Sequence, residues 1–169
     1  MGLRLLCVVA HPDDECFAFG GALALAADQG VETHVVLTFA SDGAVNTHAD
    51  HTMVSAFTCA AFHWAASPKR FPEAGPDHRA DRLFLLSTSF FMEGRPAPLP
   101  APWTVTLDVR SVMERKHEAF TRHASQAPLV AQTKAMFEQF GQYEHYLLAA
   151  VRDPQPAKPM TSFFEGLKP

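Results

Sequence analysis

Near the N-terminus the sequence reads Val9-Ala10-His11-Pro12-Asp13-Asp14-Glu15, which places one imidazole and three carboxylates directly after an apolar run. His11 and Asp14 stand three positions apart and offer one nitrogen and one oxygen, a donor pair that a borderline cation such as Zn²⁺ accepts. Asp13 is not needed as a ligand, so it is a candidate general base for a water that the metal activates. The alternative interpretation is that the acids only cap the following helix, which needs one acid and leaves His11 unexplained.

The residues around this turn predict a β-α-β unit. Residues 3–10 form an apolar run with a single early charge, which is typical of a strand covered on both faces in a parallel sheet. Residues 15–29 lack proline and carry apolar side chains at helical spacing, with Gly30 as the terminator. Residues 33–39 are rich in β-branched side chains and predict a second, parallel strand. Ligands of such sheets bind beyond the carboxyl ends of the strands, where the His11 turn lies.

The second predicted strand also leads to histidines, because the loop 40–46 runs into Thr47-His48-Ala49-Asp50-His51. His51 would lie in the first turn of the next helix, where the helix dipole disfavours a positive charge and keeps the imidazole available to a metal. Asp50 is placed to hold His48 in orientation or in its charged form. Two histidines at this spacing also suit a plain surface, but beside the His11 and Asp14 pair a shared metal site is favoured.

The helix that follows is predicted over residues 51–64. Its apolar side chains repeat at helical spacing, and Thr47 or Asp50 is placed to cap its start. The residues of this apolar stripe are Val54, Phe57, Ala61 and Trp64.

The motifs around His11 and His48 resemble those of a known family. The segment Ala-His-Pro-Asp-Asp-Glu at 10–15, the pair Gly20-Gly21 and the segment His-Ala-Asp-His at 48–51 are similar to motifs of the zinc-dependent N-deacetylases of the LmbE and PIG-L type. The second motif differs from the family's usual His-Pro-Asp-His only at Ala49, which has no side-chain donor. Residues 116–126 and the tail segment 163–167 resemble the family as well.

The resemblance implies roles for individual residues. It implies that His11, Asp14 and His51 bind zinc and that Asp13 is the general base. It also implies that His48 stabilises the oxyanion or protonates the leaving amine, with Asp50 supporting it. The residues of the C-terminal half that recur in the family have no defined role and are interpreted as supporting or packing residues; they are Lys116, His123, Ser125 and Gln126. The implied substrate is an N-acetylated amino sugar or a glycoconjugate of one.

The chain also departs from the family. Members usually have a long stretch between the strand after the first helix and the His-x-Asp-His loop, whereas here the two are joined almost directly. Part of the sheet and one wall of the substrate pocket are therefore expected to be missing, which would expose apolar surface. We expect either a homo-oligomer or a marginally stable monomer, with zinc bound and deacetylase activity weak or absent.

The fold class expected from these patterns is α/β. We predict a Rossmann-like, mostly parallel sheet with flanking helices, shortened, plus a small antiparallel C-terminal part. Residues 1–152 would form the deacetylase-like domain, and residues 153–169, rich in proline, a tail that packs through Phe163 and Phe164.

The C-terminal half is predicted to contain both strands and helices. Strands are predicted at 82–91 and 103–110 as an antiparallel pair, helices at 111–123 and 129–140, and a strand or short helix at 144–152. The composition of residues 67–81 predicts a surface loop, and the prolines of 96–102 exclude both a helix and a central strand. The remaining histidines are interpreted as packing or surface residues; they are His34, His63, His78, His117 and His145.

Composition limits the classes of partner. The 169 residues carry 14 basic and 18 acidic side chains, a net charge of −4, which argues against a nucleic-acid surface or an anionic membrane patch. Residues 1–50 hold seven acids against the single base Arg4, so the acid excess surrounds the candidate site. The three cysteines are interpreted as buried free thiols, and residues 16–27 are too short an apolar run to span a bilayer. We expect a cytoplasmic protein.

Two further interpretations stay open. A Rossmann nucleotide-binding module would use the same β-α-β unit, but the first turn has no Gly-x-Gly-x-x-Gly and its acids would repel phosphate. A zinc amidase that acts on a thiol conjugate or a peptide-like amide would use the same site.

Overall fold

A computed structural model describes residues 3–30, 35–44, 47–88, 100–154, 156 and 158–167 of the chain. Its described part forms one five-stranded sheet with helices packed against it. The strands are β1 (Leu5–Cys7), β2 (Val35–Phe39), β3 (Arg82–Ser87), β4 (Val105–Asp108) and β5 (Tyr143–Val151). The helices are α1 (Asp14–Phe17), α2 (Gly20–Asp28), α3 (Ala49–Ala65), α4 (Met113–Thr121) and α5 (Ala127–Phe140), with 3₁₀ turns at Pro72–Ala74, Arg110–Val112 and Ala124–Gln126.

The strand order in the sheet is β1-β2-β3-β5-β4. β1, β2 and β3 pair in parallel, while β5 is antiparallel to both of its neighbours, so β4 runs in the same direction as the first three strands. This mixed but mostly parallel sheet with flanking helices confirms the predicted α/β class.

The predicted antiparallel pairing of the strand after residue 82 with the strand after residue 103 is wrong. The last strand, β5, lies between them and pairs with both, so that Tyr146 stands opposite Leu86 on one side and Val105 on the other. β5 is nine residues long, enough to fill this position along the full length of both neighbours. The segment that joins β3 to β4 falls largely outside the described residues, as do positions 96–99 of the proline-rich stretch.

The helix predicted over residues 15–29 is broken into α1 and α2. The break lies at Ala18 and Phe19, immediately before Gly20 and Gly21. A Cβ atom on Gly21 would lie 2.5 Å from Val109 Cγ1 and 2.6 Å from Glu144 Oε1, so only glycine permits this approach of backbone to sheet. The new helix start that the break creates points its free N–H groups at the carboxylate of Glu144.

Glu144 is the centre of a buried polar cluster. Its carboxylate accepts hydrogen bonds from the backbone N–H groups of Gly21 (2.8 Å) and Ala22 (2.9 Å), at the N-terminus of α2. It also accepts from Lys116 Nζ (2.8 Å) and from the Tyr146 hydroxyl (2.7 Å). The pKa of Tyr146 is raised by its burial and by the Glu144 charge. Four donors thus satisfy one buried carboxylate and tie α2, α4 and β5 together.

The helix predicted over residues 51–64 is present as α3, but of its predicted apolar stripe only Val54 packs against the core. The buried side chains of α3 are His51, Ser55 and Thr58, whereas Phe57 is 64% exposed and Trp64 is 43% exposed. Positions 51, 55 and 58 share one face of a helix, so a helix that turns His51 towards the sheet must turn residue 57 away from it. The position of His51 therefore sets the rotation of α3, and the apolar stripe does not.

The C-terminal tail packs against the core. Met160 forms a parallel bridge with Val105 at the edge of the sheet. The ring of Phe163 is 3% exposed and lies 4.7 Å from the ring of Phe84 and 4.8 Å from the ring of Tyr146. No helix among the described residues is both long and apolar enough to cross a membrane.

Candidate metal centre

The candidate site lies at the carboxyl edge of the parallel strands. The chain leaves β1 and reaches His11 and the start of α1, and it leaves β2 and reaches the loop that leads into α3. Because β1 and β2 are adjacent and parallel, their following loops meet at one edge of the sheet. This places His11 and Asp14 next to His51.

These three side chains have the geometry of a metal site. His51 Nε2 lies 3.3 Å from Asp14 Oδ1, and His11 Nδ1 lies 3.5 Å from Asp14 Oδ2. One donor atom from each residue lies within 4.8 Å of the others. Ligand atoms around a tetrahedral Zn²⁺ stand about 3.3 Å apart, given metal–ligand bonds near 2.0–2.1 Å. The spacing therefore fits a cation of this size with small side-chain movements.

His51 is held in the orientation that a ligand needs. Its ring stacks on Phe39 at 4.1 Å with an interplanar angle of 6°, and its Nδ1 lies 3.4 Å from the carbonyl oxygen of Gly43. A carbonyl oxygen that accepts from Nδ1–H leaves the lone pair of Nε2, on the Asp14 side of the ring, available to bind a metal. The loop after β2 thus selects the tautomer that suits metal binding.

Charge interactions within the site shift two pKa values in opposite directions. Burial raises the pKa of Asp14, but hydrogen bonds from His51 and from the His11 backbone outweigh it and the net pKa is lowered. Burial lowers the pKa of His51, but the bond to Asp14 and its charge outweigh that effect and the net pKa is raised, opposite to the direction expected from its place at a helix start. A proton on His51 competes with a cation, so metal binding here weakens as the pH falls.

Asp13 lies beside this group but is not one of its three members. Its φ angle is 121°, a left-handed conformation that residues other than glycine rarely adopt. Its pKa is raised by burial and by the neighbouring charge of Asp14. Backbone strain of this kind costs about 1–3 kcal/mol and persists where surrounding structure enforces it, often at active sites. The strained turn leaves a carboxylate with raised proton affinity next to His11, Asp14 and His51, which we call the metal group.

The strain predicts a stability effect that is separate from catalysis. Replacing Asp13 by glycine is expected to leave the protein about 1 kcal/mol more stable than replacing it by alanine, because glycine adopts positive φ freely. Both variants lack the carboxylate, so their difference isolates the backbone. Urea denaturation measures it, and an Asp13→Gly variant no more stable than Asp13→Ala would show that the turn is unstrained.

His48 and Asp50 interact differently from the arrangement that the resemblance implied. His48 is the N-cap of α3, in place of Thr47 or Asp50, and its Nδ1 accepts from the Asp50 backbone N–H at 3.2 Å. The Asp50 carboxylate instead lies 2.9 Å from His11 Nε2 and 3.9 Å from His48 Nδ1. The backbone of His48 is extended (φ −65°, ψ 130°), as is usual for an N-cap residue whose side chain accepts from the first turn, and the Asp50 side chain pairs with His11.

This arrangement has a chemical consequence for His48. Since its Nδ1 accepts a hydrogen bond, its Nε2 carries the proton and is a donor. His11, His48 and Asp50 form a second, more exposed group with ligand atoms within 4.8 Å of one another. His11 therefore belongs to two groups that could hold a metal, of which the group with Asp14 and His51 is the more buried.

The four family-like residues of the C-terminal half line the same cavity as the metal group. The cavity has a volume of about 770 Å³ and includes Lys116, His123, Ser125 and Gln126 in its wall. His123 Nε2 lies 3.5 Å from Glu15 Oε1 and 3.6 Å from Cys16 Sγ. The sequence identified these residues by resemblance, but it gave no signal for Glu144 beyond an acid inside an apolar strand.

The three cysteines are free thiols. Burial, together with nearby carboxylates, raises the pKa of Cys7 to about 12 and that of Cys16 to about 11. A thiol must ionise to act as a nucleophile, so neither provides one at neutral pH.

The other histidines do not join the metal group. His63, His78 and His117 are exposed, and His34 lies outside the described residues. His145 is half-buried, its ring lies 4.7 Å from that of Trp103 at a tilt of 37°, and it also lines the cavity. Its pKa is lowered by burial.

A comparison with protein families agrees with the resemblance seen in the sequence. The family model of GlcNAc-PI de-N-acetylase, or PIG-L, matches residues 6–43. The matched segment runs from β1 to the loop after β2 and includes His11, Asp13 and Asp14, but it ends before His48 and His51. The suspected resemblance is therefore confirmed for the β-α-β unit that carries the first motif. No curated protein matches the chain significantly.

Solved structures share the fold over nearly the whole chain. The conserved protein TT1542 from Thermus thermophilus has a TM-score of 0.65 and 18% sequence identity, covering 91% of this chain and 98% of its own. GalB, the 4-carboxy-2-hydroxymuconate hydratase from Pseudomonas putida, has a TM-score of 0.59 and 12% identity, covering 91% and 99%. At these identities the likeness establishes the fold alone.

Proposed function

We propose that this chain is a zinc-dependent hydrolase that removes an N-acetyl or similar N-acyl group from an amino sugar or its glycoconjugate. The observation that carries the proposal is the group of His11, Asp14 and His51 at ligand spacing, with the strained carboxylate of Asp13 beside it. The family model that matches residues 6–43 describes a de-N-acetylase, which supports the reaction class. The amino sugar comes from that likeness.

The donor set fits zinc. It consists of two imidazoles and one carboxylate, the combination that catalytic zinc sites use when a fourth position is left for water or substrate. When bound, zinc would polarise the amide carbonyl and lower the pKa of a water molecule. His11, Asp14 and His51 would hold it, and Gly43 would keep His51 oriented through its carbonyl oxygen.

The remaining steps belong to side chains of this chain. Asp13 takes a proton from the attacking water, for which its raised pKa suits it. His48 donates from Nε2 to the oxyanion of the tetrahedral intermediate, because its Nδ1 is already occupied by the Asp50 backbone N–H. The C–N bond breaks as the amine takes a proton from Asp13 or His48. The products are a free amine and a carboxylate.

A second candidate function is amide hydrolysis on a substrate other than an amino sugar. The part of the cavity wall that α5 forms is largely aromatic and aliphatic, which favours an apolar substituent on the substrate. A chain with weak or no activity is the remaining alternative. Zinc content combined with acetate release from a panel of N-acetylated amino sugars and simple amides separates the three: sugar turnover supports the first, amide turnover alone the second, and zinc without turnover the third.

Asp13 provides the sharpest catalytic test. Asp13→Asn is expected to keep zinc but to lower kcat for acetate release by at least about 10²-fold, the usual scale for removing a positioned general base. The asparagine keeps the side-chain shape, so the fold and metal content serve as internal controls. Unchanged turnover with an unchanged pH profile would assign the base to another group.

Three exposed apolar side chains on α3 bear on the assembly of the protein. Met53, Phe57 and Trp64 are each more than 40% exposed and lie on one face of α3. We propose that the chain either forms a homo-oligomer through exposed apolar surface or is a marginally stable monomer. Light scattering and a thermal melt test this, with Phe57→Asp expected to favour the monomer. A monomer that melts above about 65 °C would contradict both alternatives.

A further inference from the structure

The cavity extends from the metal group into an apolar arm, which we define by six lining residues: Phe17, Phe120, Leu129, Met136, Phe137 and Phe140. The arm begins one helical turn after Asp13, because residues 13 and 17 lie on the same side of the chain as it enters α1. The Phe17 ring lies 4.9 Å from the ring of Phe120 and 5.8 Å from that of Phe137. These contacts make a packed aromatic floor close to the candidate metal centre.

Helix α5 supplies the other wall of the arm. Its residues at positions 129, 133, 136, 137 and 140 follow helical spacing and all line the cavity. Only Phe137 of α5 is buried, and Leu129 remains 39% exposed. The apolar face of α5 therefore borders the cavity, where an apolar ligand would cover it, and most of it is not buried against the core.

The face of α5 that lines the arm offers a sugar little to bind, since the polar cavity residues Lys116, His123, Ser125 and Gln126 all lie outside α5. The polar side chain on this face of α5 is Thr133, whose hydroxyl donates to the Leu129 carbonyl at 2.8 Å. A sugar placed there would lose water from several hydroxyls without regaining hydrogen bonds. An alkyl chain loses nothing comparable and gains burial against aromatic rings.

We infer that the arm receives the acyl group of the substrate and that this acyl group is an alkyl chain longer than acetyl. The inference rests on the proposed function, in which the scissile amide lies at the group of His11, Asp14 and His51. His48 lies on the exposed side of the metal group, at the start of α3, whereas the arm opens from α1. A polar amine half keeps its hydration on this exposed side, so the acyl half is the part that enters the apolar arm. A cavity of about 770 Å³ has room for both.

The test uses zinc-loaded full-length protein and two metal-chelating probes that differ only in chain length, acetohydroxamate and octanohydroxamate. Calorimetry is expected to give about 10²-fold tighter binding of octanohydroxamate, since six further methylenes enter an arm that is partly open to solvent. Leu129→Asp places a carboxylate in the arm at a position exposed enough to keep the fold, and it is expected to reduce the advantage to below about 10-fold. Phe140→Ala is expected to reduce it in part.

The matched control is Phe57→Asp, the same kind of change on the outward face of α3, which should leave the chain-length advantage intact. Equal affinity for the two probes, failure of octanohydroxamate to bind, or an advantage that survives both Leu129→Asp and Phe140→Ala would overturn the inference. The proposed function is tested separately. Acetate release without a chain-length preference would contradict the role of the arm and support the deacetylase. A chain-length preference without hydrolysis of any amide would support binding of alkyl chains in the arm and contradict the hydrolase.

Discussion

Alanine at His11, Asp14 or His51 is expected to weaken zinc binding by about 10²–10³-fold. Zinc binding energies of roughly 10–16 kcal/mol are shared among few ligands, and a site with three protein ligands has no spare donor. Competition with a chelator, followed by metal analysis, measures the loss for each variant. His63→Ala is the matched control, because His63 is an exposed histidine on the same helix as His51. Full zinc retention by His51→Ala would overturn the ligand assignment.

The same experiment distinguishes the two groups that share His11. Asp50→Asn is expected to retain zinc, because the more buried group of His11, Asp14 and His51 does not include Asp50. If Asp50→Asn loses zinc while His51→Ala retains it, the metal occupies the group of His11, His48 and Asp50. An equal and complete loss in both variants would mean that Asp50 supplies a fourth ligand.

Glu144→Ala is expected to lower the free energy of unfolding by about 3–5 kcal/mol, the usual cost of removing one partner of a buried ion pair. The change would leave the Lys116 ammonium buried without its counter-charge and the N–H groups of Gly21 and Ala22 without an acceptor. Urea denaturation measures the effect.

A matched control for Glu144 is Glu118→Ala. Glu118 pairs with Arg122 on the exposed face of α4, four residues along the helix, and such pairs contribute under about 1 kcal/mol. A Glu144→Ala variant that loses no more than Glu118→Ala would mean that water reaches Lys116 and replaces the carboxylate.

Local patterns predicted the β-α-β unit of the N-terminal half, but the first strand, predicted to be covered on both faces, lies at the edge of the sheet with Leu6 55% exposed. The apolar run before His11 and the β-branched run before the second loop each gave a strand, and short connections with a right-handed crossover made them parallel. The order of β3, β5 and β4 could not be predicted in this way. It depends on a strand more than 30 residues away inserting between two others, and the alternation within each strand is the same for either neighbour.

The site shows the same division between local and tertiary causes. The spacing of His11 and Asp14, and of His48 and His51, identified the residues that the structure brings together. The rotation of α3 was not predictable from its apolar spacing, because His51 anchors the opposite face. Nor was the pairing of Asp50 with His11, since it joins residues 39 positions apart and depends on how the two loops meet.

The distribution of these residues along the chain separates two tasks. The proposed ligands and base all lie between His11 and His51, whereas the wall formed by α5 lies between Ala127 and Phe140 and buries only Phe137. Substitutions on the cavity face of α5 can therefore accumulate over evolution without disturbing either the ligands or the core. On the proposed function, relatives that share the β-α-β unit would differ in the acyl group they accept while keeping one hydrolytic step. The sequence differences that change this preference would lie on the cavity face of α5.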